Sequence, residues 1–182
     1  MHTDITPSDL VAFWKEAGPK MWFAKDDVFD AEFRRRFEAA HFTAARRALD
    51  HWAETPEGSL ALLILLDQFP RNVFRNTGHA FATDPLARHF AIMAVDGGQD
   101  RAVENDLRRF FYLPFQHHED MASQERQLAL FQRMDRAAGD RWAEHHHRVI
   151  ATFGRFPHRN RALGRETTPE EQVFLNQDGF RG

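Results

Sequence analysis

The sequence predicts an all-α fold: about nine antiparallel helices joined by short loops, in a single domain covering residues 1–182. Three observations carry this. Helix-start signals recur along the chain, with Thr6-Pro7, Thr55-Pro56, Asp84-Pro85 and Thr168-Pro169 each placing a proline at a first helical position. Apolar residues repeat at helical spacing, as in Phe29, Phe33 and Phe37. No Asn-Gly or Asp-Gly turn lies between alternating apolar runs, and Asp96-Gly97 and Asp178-Gly179 follow helical stretches instead.

In order along the chain, Thr6 is suited to cap the first helix and Asp9 to its positive end, with Leu10, Phe13 and Trp14 on one face. Gly18-Pro19 is expected to stop it. Asp26 or Asp27 opens a second helix bearing the Phe29, Phe33 and Phe37 stripe, with a break expected near His41 before Ala45, Leu49 and Trp52 resume the period. Thr55-Pro56-Glu57 starts a helix whose run Leu60 to Leu66 is apolar on every side, the mark of a buried central helix, which Pro70 is expected to end. Leu86, Phe90 and Met93 share a face after Asp84-Pro85, and Gly97-Gly98 closes that helix. Leu107, Phe110 and Phe111 mark a short helix stopping at Pro114. Gln124, Leu128 and Phe131 define the next, and Asp140 is placed to cap the one carrying Trp142, His146, Val149 and Phe153. Thr168 with Glu171 reads as a capping box before Val173 and Phe174.

Composition narrows the function classes. The net charge of -3 argues against a general nucleic-acid binder, which is usually basic. Cysteine is absent, which excludes disulfides, zinc–thiolate sites and thiol nucleophiles. The run from Leu60 to Leu66 is too short to cross a bilayer, and no signal-peptide pattern opens the sequence, so no membrane partner and a cytoplasmic location are expected. Of 18 phenylalanines most are expected in the core, since the ring has no polar group to satisfy.

Three polar clusters interrupt the apolar pattern. Asp67-Gln68-Phe69-Pro70-Arg71-Asn72 follows the buried helix directly, where a carboxylate is costly unless paired, and Arg71 is the obvious partner. Phe115-Gln116-His117-His118-Glu119-Asp120 gathers two imidazoles and two carboxylates, suited either to acid/base work or to capping the next helix. Phe153-Gly154-Arg155-Phe156-Pro157-His158-Arg159-Asn160-Arg161 alternates cations with turn residues, suited either to a helix C-terminus or to an anion pocket. His145, His146 and His147 point about 100° apart on a helix and form no single site. No nucleotide-binding, metalloprotease or hydrolase motif occurs.

These strings, from Leu65 to Asn72, from Phe110 to Phe115 with His117, Glu119 and Asp120, and from Phe153 to Asn160 with Leu163-Gly164-Arg165, resemble the signatures of domain-of-unknown-function family 924 over roughly Val11 to Leu175. The resemblance implies a tetratricopeptide-like superhelix, although the repeat's own signature is absent, and no activity, substrate or cofactor. The family commonly has Ser where this chain has His118, so no role passes to His118, whereas His117 fits the pattern.

The reading that follows is a polar pocket for a small anionic ligand, a carboxylate or phosphate, held by Arg71, Asn72, Arg155, His158, Arg159 and Asn160. His117 or His147 is then the acid/base candidate, and Asp67 the carboxylate that orients Arg71 or Arg155. No metal or cofactor is called for. The alternative is a helical-repeat module for a peptide or protein partner, with the same motifs acting as structural ion pairs.

Overall fold

The computed structural model describes residues 5–134 and 137–177, with backbone alone for 137–140. Among these it contains eight α-helices, linked by 3-10 turns, and no strand. The chain forms two compact units. The first comprises the chain up to Arg75 together with His79–Pro114, and the second comprises Asn76–Gly78 and the chain from Phe115 onward.

In the first unit α1 is Pro7–Trp22, opened by a capping box between Thr6 and Asp9. Gly18-Pro19 interrupts it as expected, and a further helical stretch follows to Trp22. Gly18 takes φ 71°, a non-helical conformation that costs glycine little, and the chain kinks there between the two helical stretches. Trp22 rewards the continuation: its Nε1 donates to Trp14 O at 2.6 Å and its ring stacks on Trp14 with 7° between planes. Helix α2, Asp27–Ala45, is capped by the Asp26 carboxylate and buries Phe33 and Phe37. It runs unbroken through His41, which has no exposed surface. The helical period expected around Leu49 is replaced by a turn, in which Arg47 at φ 66° closes α2 and leads to the 3-10 helix Asp50–Glu54. Its N–H bonds Ala44 O and that of Ala48 bonds Thr43 O, a closure that requires the left-handed residue between them.

Helix α3 is the centre of this unit. It begins at Pro56 with the Thr55 hydroxyl accepting from Gly58 N, and Leu60 through Leu66 are buried on all sides. Helices α1 and α4 (Asp84–Asp96) pack along it, and α2 packs on its C-terminal half. Pro70 does not end it. Pro56–Leu63 passes into a π-turn, Ile64–Gln68, and the helix resumes over Phe69–Val73. In the π-turn Phe69 N donates to Ile64 O rather than to Leu65 O, and Pro70 has no N–H for Leu66 O. Both stranded carbonyls find side-chain donors: His41 Nδ1 lies 2.8 Å from Leu65 O, and Thr83 Oγ1 donates to Leu66 O at 2.5 Å. The proline is tolerated because tertiary donors replace the bonds it removes.

Helix α5, Arg109–Gln116, carries Pro114 inside it rather than stopping there. In the second unit α6, Met121–Gln132, packs against α7, Ala137–Phe153. Asp120 caps α6. Helix α7 begins before Asp140, whose expected capping side chain lies outside the described residues, as does Asp178-Gly179. A 3-10 turn, Pro157–Arg159, then packs against α8, Pro169–Gln177, whose start has the Thr168 and Glu171 capping box.

Candidate functional site

The polar residues singled out from the sequence fall into both units. In the first, the π-turn buries Asp67, only 1% exposed, next to the polar turn that follows. Gln68 Nε2 donates to Asp67 Oδ2 at 2.6 Å, and Arg71 Nη1 donates to Asp67 O at 2.8 Å, with its guanidinium 3.3 Å from Oδ1. The main grip of Arg71 is elsewhere. Its two terminal nitrogens reach both oxygens of Asp84 at 2.8 and 2.9 Å, a bidentate pair across 13 residues of chain. Asn72 Nδ2 donates to Asp30 at 2.8 Å, and the same carboxylate takes Arg75 Nε at 3.1 Å. This network ties α2, α3 and the start of α4 together.

The second unit holds two further pairs. Glu119 accepts Arg165 at 2.7 and 3.0 Å and the Phe156 N–H at 2.8 Å. Burial pushes this carboxyl up, but Arg165, the Phe156 N–H and Arg159 together outweigh burial and hold it below its ordinary value. Gly164, at φ 65°, makes the turn that lets Arg165 N return to Asn160 O and so presents the arginine to Glu119. Glu171, 2% exposed, accepts Arg155 Nε at 2.6 Å and Nη2 at 2.9 Å, Asn160 Nδ2 at 3.0 Å and Thr168 N at 2.8 Å. Its carboxyl is held at about 2, chiefly by the hydrogen bonds from Arg155. Of the two arginines that Asp67 was expected to orient, Arg71 or Arg155, the Arg155 guanidinium is thus held by Glu171 and the Glu166 carbonyl.

The remaining expected residues lie in the same unit. Arg159, buried, donates to His117 O at 2.8 Å, and its guanidinium lies 4.6 Å from the Phe156 ring centroid. The His158 ring lies 5.6 Å from the same phenylalanine. His117 and His147 are half-buried. His146 is the buried member of its triplet. Its Nδ1 donates to Trp142 O at 2.8 Å, and burial, with His117 nearby, pushes its pKa down to about 3. His118 lies against Asp120 at 2.5 Å, and Asp120 also accepts from Ser123 N and Oγ, the capping role foreseen as the plainer reading of this cluster.

Sequence reasoning missed three partners. Asp84 was read only as a helix start, Glu171 only as a capping residue, and Asp30 not as a partner of Asn72 or Arg75. It also missed a buried contact between His41 and His79, whose Nε2 atoms are 2.9 Å apart, and the Tyr112 hydroxyl donating to Asp100 at 2.7 Å. None has a local signal, because each partner is remote in sequence. Among the described residues no group of three or more His, Asp or Glu side chains gathers in a metal-binding arrangement. No described helix is long and apolar enough to cross a membrane.

The fold and these networks define an all-helical protein whose polar motifs are built into helix junctions. Residues 10–179 match the family described as bacterial protein of unknown function DUF924, and the chain belongs to that family. It is also similar to the solved structure of ATU0120, a protein of unknown function from Agrobacterium tumefaciens, at 56% identity and a TM-score of 0.91, covering 94% of this chain and 97% of that one. Among curated proteins none matches this chain.

Proposed function

We propose that the protein is a helical binding module for a peptide segment of a partner protein, and that its polar motifs are ion pairs that fix the helix junctions. The observation that carries the structural reading of the motifs is the bidentate engagement of Arg71 by Asp84 and of Arg155 by Glu171, each carboxylate almost wholly buried. The other reading, a pocket in which Arg71, Asn72, Arg155, His158, Arg159 and Asn160 hold a carboxylate or phosphate, requires Arg71 and Arg155 to release those partners. Breaking such a buried pair costs about 3–5 kcal/mol, more than one hydrogen bond to a small anion returns.

A groove of about 450 Å³ in the first unit suits a peptide. Val11, Leu60, Val103 and Leu107 line it together with Lys15, Glu57 and Glu104. Lys15 pairs with Glu104, while among the described residues Glu57 accepts the neutral hydroxyl of Ser8, so the lining keeps an excess of negative charge. An apolar side chain flanked by a lysine or arginine complements it. Superhelical arrays, the group implied by the family resemblance, take peptides on such surfaces. The test is selection of peptides from a displayed random library, followed by affinity measurement on Val103→Arg, which fills the groove from a partly exposed position. The expected outcome is a shared apolar-basic pattern and at least about tenfold weaker binding to the variant, about 1.4 kcal/mol. Selection of no peptides, or binding indifferent to Val103→Arg, overturns the proposal.

A further inference from the structure

The contact between His41 and His79 belongs to none of the motif networks. His41 lies within α2 with no exposed surface, and its Nδ1 is 2.8 Å from Leu65 O. A carbonyl only accepts, so Nδ1 carries the proton and Nε2 carries a lone pair. That lone pair faces His79 Nε2 at 2.9 Å, and the hydrogen bond between them uses a proton on His79. The Leu65 carbonyl is available only because the π-turn moves Phe69 N to Ile64 O. A histidine whose far nitrogen is anchored on a backbone carbonyl, with its Nε2 lone pair presented outward, is the arrangement that supports metal ligation.

The surroundings select the kind of ion. Phe42, Phe69 and Phe74 stand with ring centroids 5.0 to 5.9 Å from His41, and Phe74 lies 4.2 Å from His79. The site is therefore walled by hydrocarbon and offers two imidazole nitrogens. Zinc asks for about four donors, and no third His, Asp or Glu joins the pair among the described residues. A monovalent ion content with two ligands in line loses less hydration in such a wall than a divalent one. The sequence contains no cysteine, so no thiolate competes for a soft ion.

We propose that His41 and His79 form a two-coordinate site for a soft monovalent metal ion, Cu(I) or its analogue Ag(I). The ion replaces the hydrogen bond between the two Nε2 atoms. The proton on His79 Nε2 moves to its Nδ1, so both ligands stay neutral and no oxidation or reduction is involved. Two metal–nitrogen bonds of about 2 Å in line need more than the 2.9 Å now between the nitrogens. His79, half-buried on a short 3-10 turn, is the ring that moves.

The test is titration of the metal-stripped full chain with Ag(I) against a chromophoric competing chelator, repeated on His79→Ala and His79→Gln, with circular dichroism and melting temperature checking the fold. The second variant keeps a donor towards His41 but supplies no ligand for a soft ion. One equivalent bound more tightly than the rest is expected in the wild type and at least about tenfold weaker binding in both variants, while X-ray absorption of the Cu(I)-loaded protein shows two nitrogen neighbours and no sulfur. Equal binding by the wild type and the folded variants, no binding by any of them, or a sulfur or higher-coordinate spectrum overturns it.

Discussion

Replacing Glu171 by Gln tests whether the arginine motif holds the fold. Glu171 accepts four hydrogen bonds, two of them from Arg155, at an almost wholly buried position. Its folded carboxyl sits at about 2 against an ordinary 4.5. At about 1.4 kcal/mol per pH unit, that difference amounts to on the order of 3 kcal/mol of stability near neutral pH. The folded group titrates lower than the unfolded one. The contribution is therefore fully present above pH 4.5 and is lost as pH falls towards 2. Glu171→Gln keeps the shape but removes the charge, so a loss of about 3 kcal/mol is expected at pH 7, or a melting temperature lower by about 6–12 °C for a chain of this size. Calorimetry at pH 7 and at pH 3 measures it, and the gap between variant and wild type must narrow at the lower pH. A loss below about 0.5 kcal/mol, or a gap independent of pH, refutes the reasoning.

Three other outcomes follow from the packing. A Cβ on Gly58 would stand 2.0 Å from Trp52 O, so Gly58→Ala, normally favourable in a helix, is expected to cost more than about 2 kcal/mol, and a variant as stable as wild type contradicts the close approach. Thr83→Val strands Leu66 O and is expected to cost about 1–3 kcal/mol; in a Pro70→Ala background, where the restored N–H reaches that carbonyl, the cost must shrink, and additive effects refute the account of the π-turn. His41 and His146 are held neutral at about 4 and about 3 against an ordinary 6.5, so the stability they give is complete above pH 6.5 and is lost as pH falls through those values. Nitrogen chemical shifts of the two rings should show no protonation at pH 5.5, and midpoints near 6.5 contradict their burial.

Local signals were legible because both partners lie within one turn of chain. The caps at Thr6, Asp26, Thr55 and Thr168 act on N–H groups two or three residues ahead, and the Phe29, Phe33 and Phe37 stripe needs only helical spacing. The failures are tertiary. Pro70 reads as a stop until His41 and Thr83 supply the missing donors. The same holds for the candidate site. Arginine and carboxylate types were visible, but Arg71 with Asp84 and Arg165 with Glu119 meet across 13 and 46 residues. Glu171 shows both sides, since its bond to Thr168 is local and foreseen, while its bonds to Arg155 and Asn160 are not.

The most direct test of the claim that the signature arginines are structural is a double-mutant cycle on Arg71 and Asp84, using Arg71→Met and Asp84→Asn and measuring unfolding free energy by urea denaturation at neutral pH. A coupling of about 2 kcal/mol or more is expected, with each single variant costing nearly as much as the double. Additive losses with a coupling near zero would contradict the account and return Arg71 to the role of a ligand-binding residue.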